Sequence, residues 1–358
     1  MSLRANIVDL HRKITDPEQK GPILCLMRFI LLFPSAVYAF VAILRNKAYD
    51  HGWLTSHSSE APVISIGNLT AGGTGKTPFV VWLVDELKKK GHFPAVLSRG
   101  YGRDSQTGVD DENEMLSRYL EDVPAVVNPD RVEGAGEAVR QYGADVLVLD
   151  DGFQHRRLKR DLDVVLIDAM QPFGAGHMLP RGTLREPLSG LVRADLVVVT
   201  RADQVGEEEL EKIREKIRRT ASEIPVALAR HAPCGVKTLS SKPKVDHEFD
   251  LSDLADGRWL AFCALGNPLA FRRTLEQESV DVASFEIFPD HHRYNMCEVH
   301  SLEEKAVREE CRGLITTEKD AVKIRRLLQN DLKVPILEFQ VRMEIFEGKE
   351  FLEKAVCI

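Results

Sequence analysis

The sequence predicts an α/β chain built around a mostly parallel sheet, and three observations carry that reading. Apolar, β-branched runs recur, as in "ADVLVLDDG" (144–152), "DLDVVLIDA" (161–169) and "ADLVVVTRAD" (194–203). Helical patterns lie between such runs, and a glycine-rich loop, "NLTAGGTGKTP" (68–78), joins a strand to a helix. Strands that alternate with helices pair in parallel and are covered on both faces.

The elements follow in order. "PILCLMRFILLFPSAVYAFVAIL" (22–44) is an apolar helix whose one charge is Arg28, and Pro34 is expected to kink it. "PVISIGN" (62–68) reads as a buried strand. "TPFVVWLVDELKKKG" (77–91) reads as a helix with lysines in its last turn, as the helix dipole favours, and Gly91 as its stop. "FPAVLSRG" is the next strand, "DENEMLSRYLEDV" (111–123) a helix and "PAVVNP" a short strand. "RVEGAGEAVRQYG" is a helix despite two interior glycines. After three further strands and the charged helix "EEELEKIREKIRRTASE", the stretch 231–257 turns polar, and "RWLAFCALGNP" (258–268) restarts a strand–loop pattern. The expected organisation is a membrane-associated segment (1–50), a core (51–238) and a smaller C-terminal α/β domain (239–358).

The glycine-rich loop has the context that makes a phosphate-binding motif credible. Backbone N–H groups along Thr70, Ala71, Gly72, Gly73, Thr74 and Gly75 can wrap phosphate oxygens at a helix N-terminus. Lys76 can reach the β- and γ-phosphates, and the Thr77 hydroxyl can ligate Mg²⁺. Thr70 departs from the GxxxxGK[ST] pattern, which places a glycine there. The run ending in Asp150 and Asp151 delivers carboxylates to the carboxyl edge of the sheet, where ligands of open α/β sheets bind and where one aspartate can hold Mg²⁺. "TRAD" (200–203) invites comparison with a base-reading motif but lacks its Asn-Lys start, and Ala71 stands where a switch-type loop would carry its signature lysine.

Several polar clusters could serve an acceptor alcohol. "SRGYGR" (98–103) offers Arg99, Tyr101 and Arg103. "VDDENE" (109–114) concentrates acids, which equally suit a helix start. "LPRGTLREP" (179–187) carries Arg181, Arg185 and Glu186. In "FPDHHRY" (288–294), Asp290 beside His291 and His292 could form a carboxylate–imidazole pair, a metal site or a polar turn. "TTEKDAVK" (316–323) ends a strand and starts a helix, capped by Thr316 or Thr317, with Lys319 available to anions.

Composition narrows the partners. The formal net charge of −7 over 358 residues gives no global basic field for nucleic acid. The six cysteines form no CxxC pair, which fits a reducing compartment. The apolar run is borderline against the roughly 20 residues that a spanning helix needs. A helix inserted in one leaflet, with Arg28 snorkelling to the headgroups, is favoured over a spanning or a buried one.

Taken together and in this order, the N-terminal apolar helix, "GNLTAGGTGKTP", "SRGYGR", "DDENE", "DDGFQHRRLKRDLDVVLIDA", "LPRGTLREP", "RADLVVVTRAD", "FCALGNP", "FPDHHRY" and "TTEKDAVK" resemble the tetraacyldisaccharide 4'-kinase family over nearly the whole chain. The resemblance implies a P-loop NTPase core and transfer of the ATP γ-phosphate, with Mg²⁺, to the 4'-hydroxyl of a lipid A disaccharide precursor. It also implies a place on the cytoplasmic face of the inner membrane, peripheral or monotopic, and a monomer is expected. Lys76 and Thr77 would hold phosphate and metal, with Asp150, Asp151 and Glu186 at the metal. Asp111, followed by Glu112, would take the sugar proton, and His291 would support its charge. Arg185 would assist, and Arg99, Tyr101, Arg131 and Gln154 would surround substrate and nucleotide. Asp110 stands where the family has a glycine, and a small hydroxyl residue at Thr70 suits the family. Two rival readings are a membrane-associated nucleotide-switch ATPase without a lipid acceptor and a soluble kinase or ligase acting on a polar metabolite.

Overall fold

A computed structural model of the chain describes residues 10–11, 13–15, 19–100, 116, 119–120, 122–239, 248–290, 292–328 and 332–355. Asp111, Glu112, Tyr101, Arg103 and His291, and most of the helix expected over 111–123, lie outside the described residues. The chain divides into two compact units. The first comprises residues 1–101, 120–230 and 344–358, and the second comprises 102–119 and 231–343.

The first unit opens with helices α1 (Pro22–Ile30) and α2 (Leu32–Asp50). The break falls at Leu31, three residues before Pro34. Pro34 has no N–H for the Ile30 carbonyl and its ring crowds that carbonyl, so the discontinuity appears one turn upstream of the ring. Together they form a 29-residue stretch, Pro22–Asp50, long and apolar enough by composition to cross a membrane. Its outward side chains are bare: Phe33 is 77% exposed, Ile23 72% and Phe29 71%. Its inward side is docked. Ala39 and Ala42 pack on a core that includes Leu69, Phe153, Met178 and Leu184. The buried Ser35 hydroxyl donates to the Met178 carbonyl (2.8 Å), a bond whose loss would strand a buried acceptor at about 1–3 kcal/mol.

The sheet of this unit follows. Strands β1 (Val63–Asn68), β2 (Pro94–Ser98), β3 (Ala125–Val127), β4 (Val146–Asp150), β5 (Leu162–Asp168), β6 (Leu196–Thr200) and the start of β7 (Val226–Leu239) lie in the order β7-β6-β5-β1-β4-β2-β3. All these pairings are parallel. Every residue of β1, β4, β5 and β6 is buried, as two covered faces require. The helices between them are α3 (Lys76–Lys89), α4 (Arg131–Tyr142) and α5 (Glu207–Thr220). The interior glycines of α4 do not break it. Asp130 caps its first turn by accepting from Val132 and Glu133 N–H, and Gly143 ends it in the left-handed region. β1 lies between β4 and β5, so the loop after it opens at a switch in strand order, where ligands of such sheets bind.

In the second unit β7 continues and pairs antiparallel with β8 (Glu248–Phe249). Strands β9 (Arg258–Cys263), β10 (Asp281–Ile287), β11 (Gly313–Thr317) and β12 (Ile336–Glu347) run parallel in the order β10-β9-β11-β12. Helices α6 (Pro268–Gln277), α7 (Met296–Arg308) and α8 (Glu318–Arg325) accompany them, and α9 (Lys349–Ala355) belongs to the first unit. The chain passes between the units inside β7 and returns inside β12. The parallel α/β architecture expected from the sequence is met in both. Cys25, Cys234, Cys263, Cys297 and Cys311 are free thiols.

Candidate active site

The phosphate loop begins where β1 ends. Gly67 is required in that strand because a Cβ there would meet the Phe153 backbone nitrogen at 2.7 Å. Past Asn68 the chain leaves the sheet and zips against a distant loop. The Ala71 N–H donates to the Thr183 carbonyl (2.6 Å) and the Arg185 N–H to the Leu69 carbonyl (2.7 Å), with Thr70 and Leu184 in an antiparallel bridge. Thr70 therefore sits in bridged, extended backbone, where a β-branched residue is favoured. That accounts physically for a threonine at the position where the motif commonly has glycine. Gly75 turns the loop into α3 with φ 82°, a left-handed conformation that glycine adopts without cost.

Charged groups converge beneath the loop. Asp151 follows β4 at φ 52°, a region that Asp tolerates better than most residues. Arg185 grips it through both carboxylate oxygens (2.8 and 2.9 Å), and Lys76 Nζ lies 3.3 Å from it. Lys76 also donates to Asn68 Oδ1 (3.3 Å). Burial pushes the Asp151 carboxyl up, but the Lys76 and Arg185 charges together outweigh burial and hold it below the usual range. Two cations thus share one carboxylate, which leaves positive charge for an anion.

Glu186, 2% exposed, holds a second node. Its oxygens accept from Gln154 Nε2 (2.8 Å), Arg193 (2.7 Å) and Asn46 Nδ2 of α2 (2.9 Å). Gln154 also donates to the Asn68 carbonyl (2.9 Å). Arg45 of α2 donates to the Gln154 carbonyl (2.9 Å), and Arg156 pairs with Asp50 (2.7 Å). The second helix, α2, is thereby tied to both the "DDGFQH" and the "LREP" loops. Asn46, Asn68 and Arg193 had no signal in the sequence: Asn46 meets a partner 140 residues away, and the single polar side chains of Asn68 and Arg193 belong to no motif or periodic pattern.

The other candidates take separate places. Asp150 is buried at the end of β4. Arg131, 3% exposed, bonds the Asn128 carbonyl through Nη1 (3.2 Å), and Arg99 is exposed at the end of β2. His155 is surrounded by Arg131, Arg45, Arg160 and Arg157; burial first, then these charges, lower it to about 4. In the second unit Thr317, not Thr316, caps α8, accepting from Asp320 N–H. Asp290 pairs with Lys319 (3.6 Å) and His292 with Glu298 (3.1 Å). The structure thus brings together Lys76, Asp151, Gln154, Arg185 and Glu186, while Asp290 and His292 each have a partner of their own.

The oxygen donors at the phosphate loop suit Mg²⁺, which takes one or two protein oxygens and fills the rest of its shell from phosphate and water. Among the described residues no three His, Cys, Asp or Glu side chains are grouped to hold a metal by themselves.

The site's motifs and the fold together match known proteins. The family model described as Tetraacyldisaccharide-1-P 4'-kinase matches residues 27–357. The chain is 40% identical over 355 residues to the tetraacyldisaccharide 4'-kinase of Anaeromyxobacter dehalogenans (strain 2CP-C), covering 95% of this chain and 93% of that one. It is 35% identical over 343 residues to the enzyme of that name from Halothermothrix orenii, covering 88% and 89%. A crystal structure of an "apo" form of LpxK from Aquifex aeolicus in complex with ATP superposes with a TM-score of 0.68 at 32% identity, covering 92% of this chain and 98% of that one. The chain belongs to the tetraacyldisaccharide-1-P 4'-kinase family.

Proposed function

We infer that the chain is the ATP-dependent kinase that phosphorylates the 4'-hydroxyl of a tetraacylated glucosamine disaccharide 1-phosphate in lipid A biosynthesis. The observation that carries this reading is the pair of cations, Lys76 and Arg185, converging on Asp151 under the phosphate loop of a chain in this family. Phosphoryl transfer is mostly a matter of positioning and charge stabilisation, and this arrangement supplies both. The loop from Thr70 to Thr77 cradles the phosphates. Mg²⁺, when bound, would neutralise charge on the β- and γ-phosphates. Thr77 and Asp150 are the residues that would hold it, with Asp151 and Glu186 beside them.

We assign the proton of the sugar hydroxyl to Asp111, with Glu112 adjacent and His291 supporting its charge. Arg99, Tyr101, Arg131 and Gln154 are assigned to substrate and nucleotide. We assign membrane attachment to residues 1–50, nucleotide handling to 51–238 and the smaller α/β domain to 239–358. The bare apolar side of α1 and α2 supports a peripheral or monotopic seat on the cytoplasmic face of the inner membrane, where a lipid acceptor presents its headgroup. The enzyme is expected to act as a monomer.

Labelled ATP, Mg²⁺ and a panel of lipid A precursors test the assignment: the new phosphate is expected at the 4' position. Nucleotide turnover indifferent to added lipid would instead favour a nucleotide-switch ATPase. Asp111→Ala is expected to cut kcat far more than it raises the KM for ATP, because a proton acceptor acts in the chemical step. A large loss in Asp110→Ala with little in Asp111→Ala would move the role to Asp110.

A further inference from the structure

The "TRAD" motif at the end of β6 has no part in the mechanism above, yet its first two residues reach the phosphate loop. The Thr200 hydroxyl, wholly buried, donates to the Thr74 carbonyl (2.9 Å). Arg201 donates through Nη1 to the Gly73 carbonyl (3.1 Å) and to Asp168 Oδ2 at the end of β5 (2.6 Å). Arg201 adopts φ 53°, the left-handed region, which costs a long side chain free energy and persists only where the surroundings hold it. Arg201 is 8% exposed and Asp168 5%, so their charges are matched and largely out of solvent.

A trans peptide is planar, and its C=O and the following N–H point in opposite directions. Holding the Gly73 carbonyl toward Arg201 aims the Thr74 N–H to the other side of the loop. Holding the Thr74 carbonyl toward Thr200 does the same for the Gly75 N–H. We propose that Thr200 and Arg201 are positioning residues of the kinase: they pin these carbonyls so that the Thr74 and Gly75 amides are preset to donate to phosphate oxygens. The Arg201 charge is spent on Asp168, so the pair orients dipoles without adding a cation to the site. Orientation fixed before binding is what lets backbone donors act without reorganising. The assignment rests on the phosphate-loop reading above.

The test uses the full chain and inorganic tripolyphosphate as the probe. Arg201→Ala alone would strand the buried Asp168 carboxylate, so the informative variants are Thr200→Val and the paired R201A/D168N. Calorimetric titration is expected to show tripolyphosphate binding weakened about threefold to tenfold in Thr200→Val and about tenfold to a hundredfold in the paired variant. In ATP kinetics the KM is expected to rise by a similar factor while kcat falls less. Arg201→Lys, which keeps the charge but carries it on a shorter side chain than the one that brings Nη1 to Gly73 and Asp168, is expected to fall between. If both variants lose melting temperature without ligand yet bind tripolyphosphate with wild-type affinity, the residues only hold the fold and the proposal is overturned. Wild-type protein that fails to bind tripolyphosphate overturns the proposal together with the phosphate-loop reading, whereas normal binding without lipid phosphorylation leaves the proposal intact and overturns the kinase assignment alone.

Discussion

Asp151 and Glu318 occupy equivalent places in the two units and have opposite charge states. Each is the carboxylate that follows a buried parallel strand, β4 in one unit and β11 in the other. Asp151 faces Lys76 and Arg185 and stays ionised. Glu318 is 5% exposed and lies near Glu338, itself paired with Arg325 (3.2 Å). Burial first, and then the Glu338 charge, raise Glu318 to about 8, so it is mostly protonated at neutral pH. A strand end delivers a carboxylate to an edge; the neighbours decide whether it is an anion that gathers cations or a neutral group in the core. Only the first arrangement prepares a phosphate site.

The comparison breaks most visibly at Lys76. Lys76→Ala is expected to lower turnover about a thousandfold or more, since it removes a cation that can reach the transferring phosphoryl group. Near-normal turnover would dissolve the contrast between the two edges. Arg185→Lys keeps the charge, but its shorter side chain falls short of the point from which the single nitrogen Nη1 contacts both Asp151 oxygens, and a loss in kcat/KM of about tenfold is expected from steady-state kinetics. On the other side, Glu318→Gln sharpens the contrast through stability. Its folded value, about 8, exceeds the 4.5 of an unperturbed glutamate, so the stability of the neutral form is full below 4.5 and is lost as pH rises to 8. The variant is expected to melt about 2–4 °C or more above wild type at pH 8.5 and to show little gain at pH 4.5. A gain independent of pH would deny that Glu318 ionises in that window. The smallest effect is expected at His155. Its folded value of about 4 lies below 6.5, so the unfolded chain binds the extra proton and stability declines as pH falls from 6.5 to 4. His155→Gln should flatten that decline in a melting series, and an unaltered slope would assign it to other groups.

Much of the fold was legible because it rests on local pattern. The β-branched run over Val146–Asp150 is a strand buried along its whole length, and the lysines and Gly91 mark the end of α3 as its dipole and turn chemistry require. The phosphate loop was legible for the same reason, since Gly75-Lys76-Thr77 is contiguous. What the sequence hid is non-local. Nothing around Thr70 announces that it will bridge to Leu184, and nothing in "TRAD" announces that Arg201 will reach Gly73. The kink expected at Pro34 also moved, because a proline disturbs the carbonyl one turn before it.

The docking of α2 alters how the protein should be handled. Ser35 feeds the Met178 carbonyl, Ala39 and Ala42 cover apolar core, and Asn46 supplies one of the donors that hold Glu186. The helix is thus a wall of the enzyme as well as its greasy exterior. Deleting residues 1–45 would strip Ser35, Ala39 and Ala42 from the core that they cover. A water-soluble form is better sought by repainting the bare side, at Phe29, Phe33 and Phe40, while every inward residue is left in place.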